Sequence, residues 1–390
     1  MPPRLRTACW AADVSSARTS LATDERLMRR ALELAARGLG ETNPNPVVGC
    51  VVARAERVLG EGYHHRAGGA HAEVLALRAA GARARGATLY VTLEPCSHHG
   101  RTPPCAPLVS EAGIARVVAA TRDPDPRVNG HGLAFLRRAG VTVTCGLCEP
   151  EAAELNTRFL TTARRGRPFV LLKAALTLDG RIATAAGRSR WITGAAARRQ
   201  ARFLRRLHDA VLVGIGTVLA DDPMLLPKPM TRRPLTRVVL DTHLRLPLAT
   251  RVVASASPRT PVLVLCAEAP ARRRRGLETR GIAVVEVAEA DGRVEATAAL
   301  EALFERGLTS VMIEGGSEVL GSFLAARLVD EVALFRAPLL LGGRGSLGAF
   351  GGPDPRDIGD ALRLEPVPEQ PPFPWPWRTP TLFERWRPKR

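Results

Sequence analysis

The chain has 390 residues, 45% apolar and 24% charged, with a formal net charge of +18; this length suits two domains, each with its own core. Such a charge invites an acidic partner such as nucleic acid. However, only Lys173, Lys228 and Lys389 are lysines, so the basicity is arginine spread along an alanine-rich chain, and aromatics at 4% are too few for a base-stacking surface. No apolar run approaches the roughly 20 residues of a membrane helix, no signal-peptide core opens the chain, and the odd count of seven cysteines fits a reducing, cytoplasmic setting.

Residues 1–22 are polar, arginine-bearing and poor in acids, and are read as a disordered extension or the result of a misplaced start codon in preference to a transit peptide. Thr23-Asp24 offers an N-cap, and Leu27, Ala31, Leu34 and Ala35 carry helical periodicity up to Gly38. Asn43-Pro44-Asn45-Pro46 is a proline-stiffened loop before a strand Val47–Val52, which pairs as a hairpin with Leu59–His64. His64 and His65 have no partner at ligand spacing, and surface and substrate-contact roles are both open to them. A helix begins at His71 after the Gly68-Gly69 break, Thr88–Val91 is a strand ending toward Pro95-Cys96, and Cys105–Ala112 opens a second helix.

Strand Val117–Ala120, a helix near Leu133–Arg138 and strand Val141–Thr144 follow, so helices alternate with strands and imply a largely parallel sheet. Asp123 and Asp125 sit in the loop after a strand end, where they either read the amino groups of a base or cap helices. Cys145 and Cys148 have a redox-like spacing, taken as incidental. One helix is expected over Glu151–Thr162, and Arg164–Pro168 reads as a linker.

The chemistry of the first half lies in His71-Ala72-Glu73 and in Pro95-Cys96 through Cys105. One imidazole and two thiolates suit a catalytic zinc that keeps its fourth position for water. Glu73 is then free to carry protons, and this order of residues is that of zinc-dependent base deaminases. A structural zinc would need a fourth ligand, and His98, His99 and Cys50 stand at no recognisable ligand spacing. The eight residues between the cysteines, Ser97-His98-His99-Gly100-Arg101-Thr102-Pro103-Pro104, together with Asn43–Gly49, make this half resemble the deaminase half of the bifunctional riboflavin-biosynthesis deaminase–reductases. The resemblance implies a cytidine-deaminase-like zinc domain over 23–163 and assigns Asn45 to the pyrimidine substrate.

The pattern restarts with strand Phe169–Ala175, then Leu176–Ala183, Ser189–Gly194, a basic helix Ala195–His208 and strand Ala210–Val213 running into Gly214-Ile215-Gly216. Strands Val238–Leu240, Val262–Leu265 and Val284–Val285 continue the sheet, with Arg272–Arg275 as a solvated helix face. Val311–Glu314 ends in Gly315-Gly316, and a helix from about Glu318 to Leu328 follows, a turn that can seat a dinucleotide phosphate. These segments resemble the reductase half of the same family, expected over 168–365 with a dihydrofolate-reductase-like fold and NADPH; a Pro/Trp-rich tail (366–390) resembles nothing familiar and either covers a sheet edge or lies loose.

By that resemblance Ala175, Trp191, Thr217, Asp221, Thr242 and Gly316-Ser317-Glu318-Val319-Leu320-Gly321-Ser322 surround NADPH. Lys173, Ser189, Arg205, Asp221, Lys228 and Glu314 lie near the ribose and its phosphate, with Lys173, Asp221 and Glu314 catalytic. One departure is visible. Where the family has Leu-Thr and soon an arginine, this chain has Leu225-Leu226-Pro227-Lys228, and lysine supplies the charge without the bidentate fork.

The expected fold class is therefore α/β in two domains, with zinc and NADPH as cofactors. The expected function is hydrolytic deamination of a diaminopyrimidinone carrying a ribosylamino phosphate, followed by reduction of its ribose to a ribityl chain. The expected partner is that small phosphorylated pyrimidine, with no nucleic acid and no membrane, in a homo-oligomer (dimer or tetramer). The alternative is a nucleic-acid-directed zinc deaminase with an appended binding domain.

Overall fold

The structure, a computed structural model, describes residues 10–98, 103–126, 128–367 and 381–389, with side chains from residue 21 onward. The chain divides into two compact units between Arg164 and Arg165.

The first unit is built on five strands in the order Arg57–Tyr63, Gly49–Arg54, Thr88–Val91, Arg116–Ala119, Thr142–Cys145. Gly49–Arg54 is antiparallel to both its neighbours, and the other two pairings are parallel. The sheet is thus mixed rather than largely parallel, because the hairpin expected from sequence brings two of its strands in side by side. Helix Ala72–Ala80 packs on the hairpin at glycine-width separation. A Cβ on Gly60 would stand 2.3 Å from the Ala76 carbonyl oxygen, and one on Gly62 would stand 2.6 Å from that of Ala72. These two glycines let the backbone that carries His71 and Glu73 lie directly against the sheet.

The first helix starts at Trp10, not at Thr23. Asp24 is therefore no cap; it is buried inside the helix, where it accepts from the Tyr90 hydroxyl (2.6 Å) and from both Arg116 amino groups (3.0 and 2.7 Å). A residue with capping chemistry has been used for a tertiary bond. The expected Glu151–Thr162 helix is two, Glu149–Leu155 and Thr157–Arg165, broken at Asn156. The Asn156 amide accepts from the Val47 N–H and donates to the Val47 carbonyl, both at 2.9 Å, standing in for a strand partner. Cys145 and Cys148 are both unbonded, in keeping with incidental spacing.

The second unit has a nine-stranded sheet in the order Ala283–Glu286, Val262–Cys266, Thr236–Leu240, Ala210–Gly214, Ser310–Glu314, Phe169–Thr177, Glu331–Ala337, Leu382–Pro388, Leu364–Pro366. The first seven run parallel, and their interior positions form the core. Such strands are buried on both faces and read as continuous apolar runs, which is why six of the seven were legible in the sequence; Glu331–Ala337, which carries Glu331 and Arg336, was not. The described end of the tail, Leu382–Pro388, is an added antiparallel strand along Glu331–Ala337. It is fixed there by Arg385 donating to Glu331 at 2.5 and 2.9 Å. The tail's remaining proline- and tryptophan-rich stretch, and residues 1–9, lie outside the described residues.

Gly49 tests the close packing of the first unit. A Cβ there would stand 1.9 Å from the Ala31 carbonyl oxygen and 2.7 Å from the Ala35 nitrogen. Gly49→Ala should destabilise the unit by about 1–3 kcal/mol, the usual cost of overpacking. Denaturant unfolding of the variant and the parent measures it.

Candidate active sites

His71 precedes the helix Ala72–Ala80, Cys105 opens the helix Cys105–Glu111, and Cys96 lies between the strand Thr88–Val91 and that second helix. The His71 Nδ1 lies 3.2 Å from Cys105 Sγ and 3.6 Å from Cys96 Sγ. All three donor atoms fall within 4.8 Å of one another. The donor group has no fourth member among the described residues: His98 and Cys50 are not in it, and His99 lies outside them. Hydrogen bonding by Cys105 pulls Cys96 down to about 4, and the same contact with burial pushes Cys105 up. Two sulfurs sharing one proton beside an imidazole suit a thiophilic dication, which would hold both as thiolates. Zinc fits this donor set.

The positions of these donors are set by a residue whose role sequence reasoning passed over. The buried Glu94 carboxylate accepts from four backbone N–H groups: Gly130 and Gly132 at 2.9 Å, Leu133 at 3.2 Å and Asp123 at 3.4 Å. It caps the start of helix His131–Arg138, where a carboxylate is favoured by the helix dipole. Gly132 permits the approach, since a Cβ there would stand 1.9 Å from the Pro95 carbonyl oxygen. The signal was present as a carboxylate just before Pro95-Cys96 and a Gly130-His131-Gly132 helix start.

Glu73 lies in the first turn of the metal-bearing helix and is 4% exposed. Burial, then the neighbouring Cys96 sulfur, raises its carboxyl above the ordinary value, the direction a proton-carrying acid needs. Asn45 meets His64, its amide nitrogen 3.1 Å from Nε2, while His64 Nδ1 lies 3.1 Å from the Ala70 carbonyl oxygen. A carbonyl only accepts, so Nδ1 carries the proton and Nε2 accepts from the Asn45 amide. Burial lowers the His64 pKa and keeps this ring neutral. Its edge meets the His71 ring at 5.5 Å, so His64 links Asn45 to the metal ligand, while His65 is exposed and stacks on Tyr63. Asp123 is pushed up to about 6 by burial and accepts from the Asp125 N–H at 2.9 Å, bracing its own loop.

The second unit holds a cleft of about 1210 Å³ at the ends of its parallel strands, larger than most single-ligand pockets. It is lined by Lys173, Ala175, Ser189, Trp191, Arg205, Thr217, Asp221, Lys228, Thr242 and Glu314, and by Gly316 to Leu320 and Ser322. Gly321 does not line it. It is buried against the loop at Gly351, whose carbonyl oxygen a Cβ would meet at 1.9 Å, so this glycine serves helix packing rather than the cleft.

Glu314 ends its strand beside Lys173 in register. Its carboxylate takes both Arg205 donors (2.5 and 3.0 Å) and stands 3.7 Å from Lys173 Nζ. Burial alone would raise Glu314, but Arg205 and Lys173 hold it below its ordinary value; burial lowers Lys173. Gly315 and Gly316 both have positive φ (73° and 80°), and Cβ atoms there would reach Thr217 Oγ1 at 3.3 and 3.5 Å. That bare turn, opening helix Ser317–Ala325, is a cradle a dinucleotide phosphate fits. Trp191 is 66% exposed at the cleft, with the Arg198 guanidinium 4.2 Å from its ring centroid. Arg190 donates to the Asp221 carboxylate at 3.1 Å.

The profile of the RibD C-terminal domain matches residues 168–368, and that of the cytidine and deoxycytidylate deaminase zinc-binding region matches residues 21–121. The riboflavin biosynthesis protein RibD of Bacillus amyloliquefaciens is 46% identical over 82% of this chain and 86% of its own. This chain belongs to the RibD family. The Escherichia coli member is 43% identical over 82% of this chain and 89% of its own. Among solved structures, Acinetobacter baumannii RibD is 38% identical with a TM-score of 0.82, covering 95% of this chain and 99% of that one. The Thermotoga maritima diaminohydroxyphosphoribosylaminopyrimidine deaminase/5-amino-6-(5-phosphoribosylamino)uracil reductase is 37% identical with a TM-score of 0.80, covering 95% and 99%. As a RibD-family member the chain is a bifunctional deaminase–reductase of riboflavin biosynthesis, zinc-dependent in its first half and NADPH-dependent in its second. No described helix is long and apolar enough to cross a membrane.

One zinc per chain is expected, lost when Cys96 or Cys105 becomes Ser. Because thiolate ligation releases protons, occupancy should also fall as pH drops. Metal analysis of the dialysed variants, and of the parent across a pH series, measures both.

Proposed function

We propose that the chain carries out two steps on one phosphorylated pyrimidine: the 2-amino group of 2,5-diamino-6-(ribosylamino)pyrimidin-4-one 5′-phosphate is hydrolysed, and the ribose of the product is then reduced to ribityl. The observation that carries this reading is the convergence of His71, Cys96 and Cys105 beside a buried Glu73, in one chain with the Lys173–Glu314–Arg205 cleft. When bound, zinc makes water nucleophilic at neutral pH and NADPH supplies the hydride.

Glu73 takes the water proton on its carboxylate and returns protons to the ring nitrogen and the departing ammonia. Its raised pKa suits both halves of that exchange. The Asn45 amide is held by neutral His64 and orients the pyrimidine. In the second half Lys173 and Glu314 would hold the open-chain sugar, whose C1′ is an imine carbon still bonded to the pyrimidine nitrogen, so that C1′ can take the hydride while the nitrogen takes a proton, with Asp221 organising cofactor and substrate. Domain limits of 23–163 and 168–365 follow the same division of labour. Unbonded cysteines at every described position support a cytoplasmic location. The exposed row Leu339-Leu340-Leu341 supports a homo-oligomer, dimer or tetramer.

Glu73→Gln should keep its zinc and lose deamination by at least roughly 10²-fold, since Gln preserves shape but carries no proton. Ammonia release with metal content checked in parallel measures it, and a rate near the parent's would contradict the assignment. Glu314→Gln should slow NADPH oxidation on the deaminated pyrimidine by about 10²-fold, the cost of misplacing a bound reactant. Ammonia production should stay intact; an equal loss of both activities at normal zinc content would mean that the halves share one site.

A further inference from the structure

The basic helix Ala195–Arg205 sends three arginines, Arg198, Arg202 and Arg205, into the wall of the reductase cleft at a spacing that places them on one helical face. Two of them are already occupied. Arg205 is held by the Glu314 carboxylate and by the Leu226 carbonyl at 2.8 Å. Arg198 lies over the Trp191 ring and donates to the Thr193 carbonyl. Arg202 differs: its Nε is enclosed and meets no acceptor among the described residues.

Its neighbour is Lys228, whose N–H donates to the Arg202 carbonyl at 3.3 Å and whose side chain lines the same cleft. The nearby acids are spoken for, Asp221 by Arg190 and Glu314 by Arg205 and Lys173. A guanidinium closed off from water at one nitrogen and given no carboxylate is a poor stabiliser of the fold, because buried donors left unpaired are costly. It is well suited to an anion that arrives with the substrate.

We propose that Arg202, with Lys228, binds the phosphate ester of the substrate sugar, and that Arg202 supplies the planar fork that Lys228 lacks. The spacing agrees with the chemistry. Arg202 is three residues, about 4.5 Å along the helix axis, from Arg205, which holds Glu314 at the reducing end. The phosphate on C5′ of an open-chain ribose lies four carbons from the C1′ that is reduced. Arg202 and Lys228 thus divide the task, a bidentate planar donor and a mobile point charge. The proposal rests on the reading of this cleft as the reductase site for a phosphorylated ribosylamino pyrimidine.

The test uses the full-length zinc-loaded enzyme, NADPH and the deaminated pyrimidine, both as its 5′-phosphate and dephosphorylated. For Arg202→Ala, KM for the phosphorylated compound should rise about 10–100-fold, the range for losing a charge-assisted hydrogen-bonded pair. KM for NADPH should hold, and the parent's preference for the phosphorylated over the dephosphorylated compound should collapse. Inorganic phosphate should compete with the phosphorylated compound in the parent and correspondingly less in the variant. Arg202→Lys, which keeps charge and bulk, should recover part of the phosphate preference and guards against a folding defect in the alanine variant. An unchanged KM, or an equal loss with both compounds, would overturn the assignment and make Arg202 a packing residue. A parent enzyme that turned over neither compound would overturn the reductase reading itself, which the parent's own rates separate from a failure at Arg202.

Discussion

A carboxylate with four amide donors holds the deaminase site together. Glu94 ties the chain just before Pro95-Cys96 to the start of helix His131–Arg138, so the segment bearing Cys96, a candidate zinc donor, is fixed by main-chain hydrogen bonds rather than by packing alone. Charge-assisted bonds of this kind are worth roughly 1.5–3 kcal/mol each when both partners are buried. They leave the Cys96 sulfur little freedom other than to face His71 and Cys105. The opposite wall is set by glycine: Gly60 and Gly62 bring helix Ala72–Ala80 onto the hairpin, and His71 and Glu73 come with it. Candidate metal donors from three separate segments thereby meet.

The reductase unit also anchors a carboxylate, with side-chain cations in place of backbone amides. Glu314 ends a central parallel strand with 7% exposure, and Arg205 and Lys173 keep it ionised there. A buried pair such as this adds little net stability, since the attraction is spent against desolvation. Its value is positional. It fixes one carboxylate, one ammonium and one guanidinium at the carboxyl end of a parallel sheet, the place where α/β folds collect ligands. The glycine turn at Gly315-Gly316 leaves the adjoining wall as bare backbone, a cradle that a dinucleotide phosphate fits.

Much of this was legible beforehand, for physical reasons that differ by region. Thr88–Val91 and six of the seven parallel strands of the second unit are short apolar runs between breakers and fall where the pattern put them, whereas the seventh, Glu331–Ala337, was not expected from sequence. The three candidate zinc donors, His71, Cys96 and Cys105, come together as the sequence led one to expect, because few residue types bind zinc and their order along the chain is restrictive. What escaped depends on tertiary partners. Asp24 looks like a cap until Tyr90 and Arg116 reach it, and Asn156 looks helical until Val47 claims its amide. Gly321 stands in the helix that follows the glycine turn but faces Gly351. Glu94 has no local partner at all, since three of its four donors come from 36 to 39 residues away.

The order of the two steps is the centre of the account, and one trace tests it. The full-length enzyme is given zinc, NADPH and the diaminopyrimidine phosphate, and ammonia and NADPH are followed in the same reaction. The account predicts that ammonia appears first, that NADPH oxidation follows after a lag, and that NADPH consumed never exceeds ammonia released. NADPH oxidation running ahead of ammonia release would contradict it.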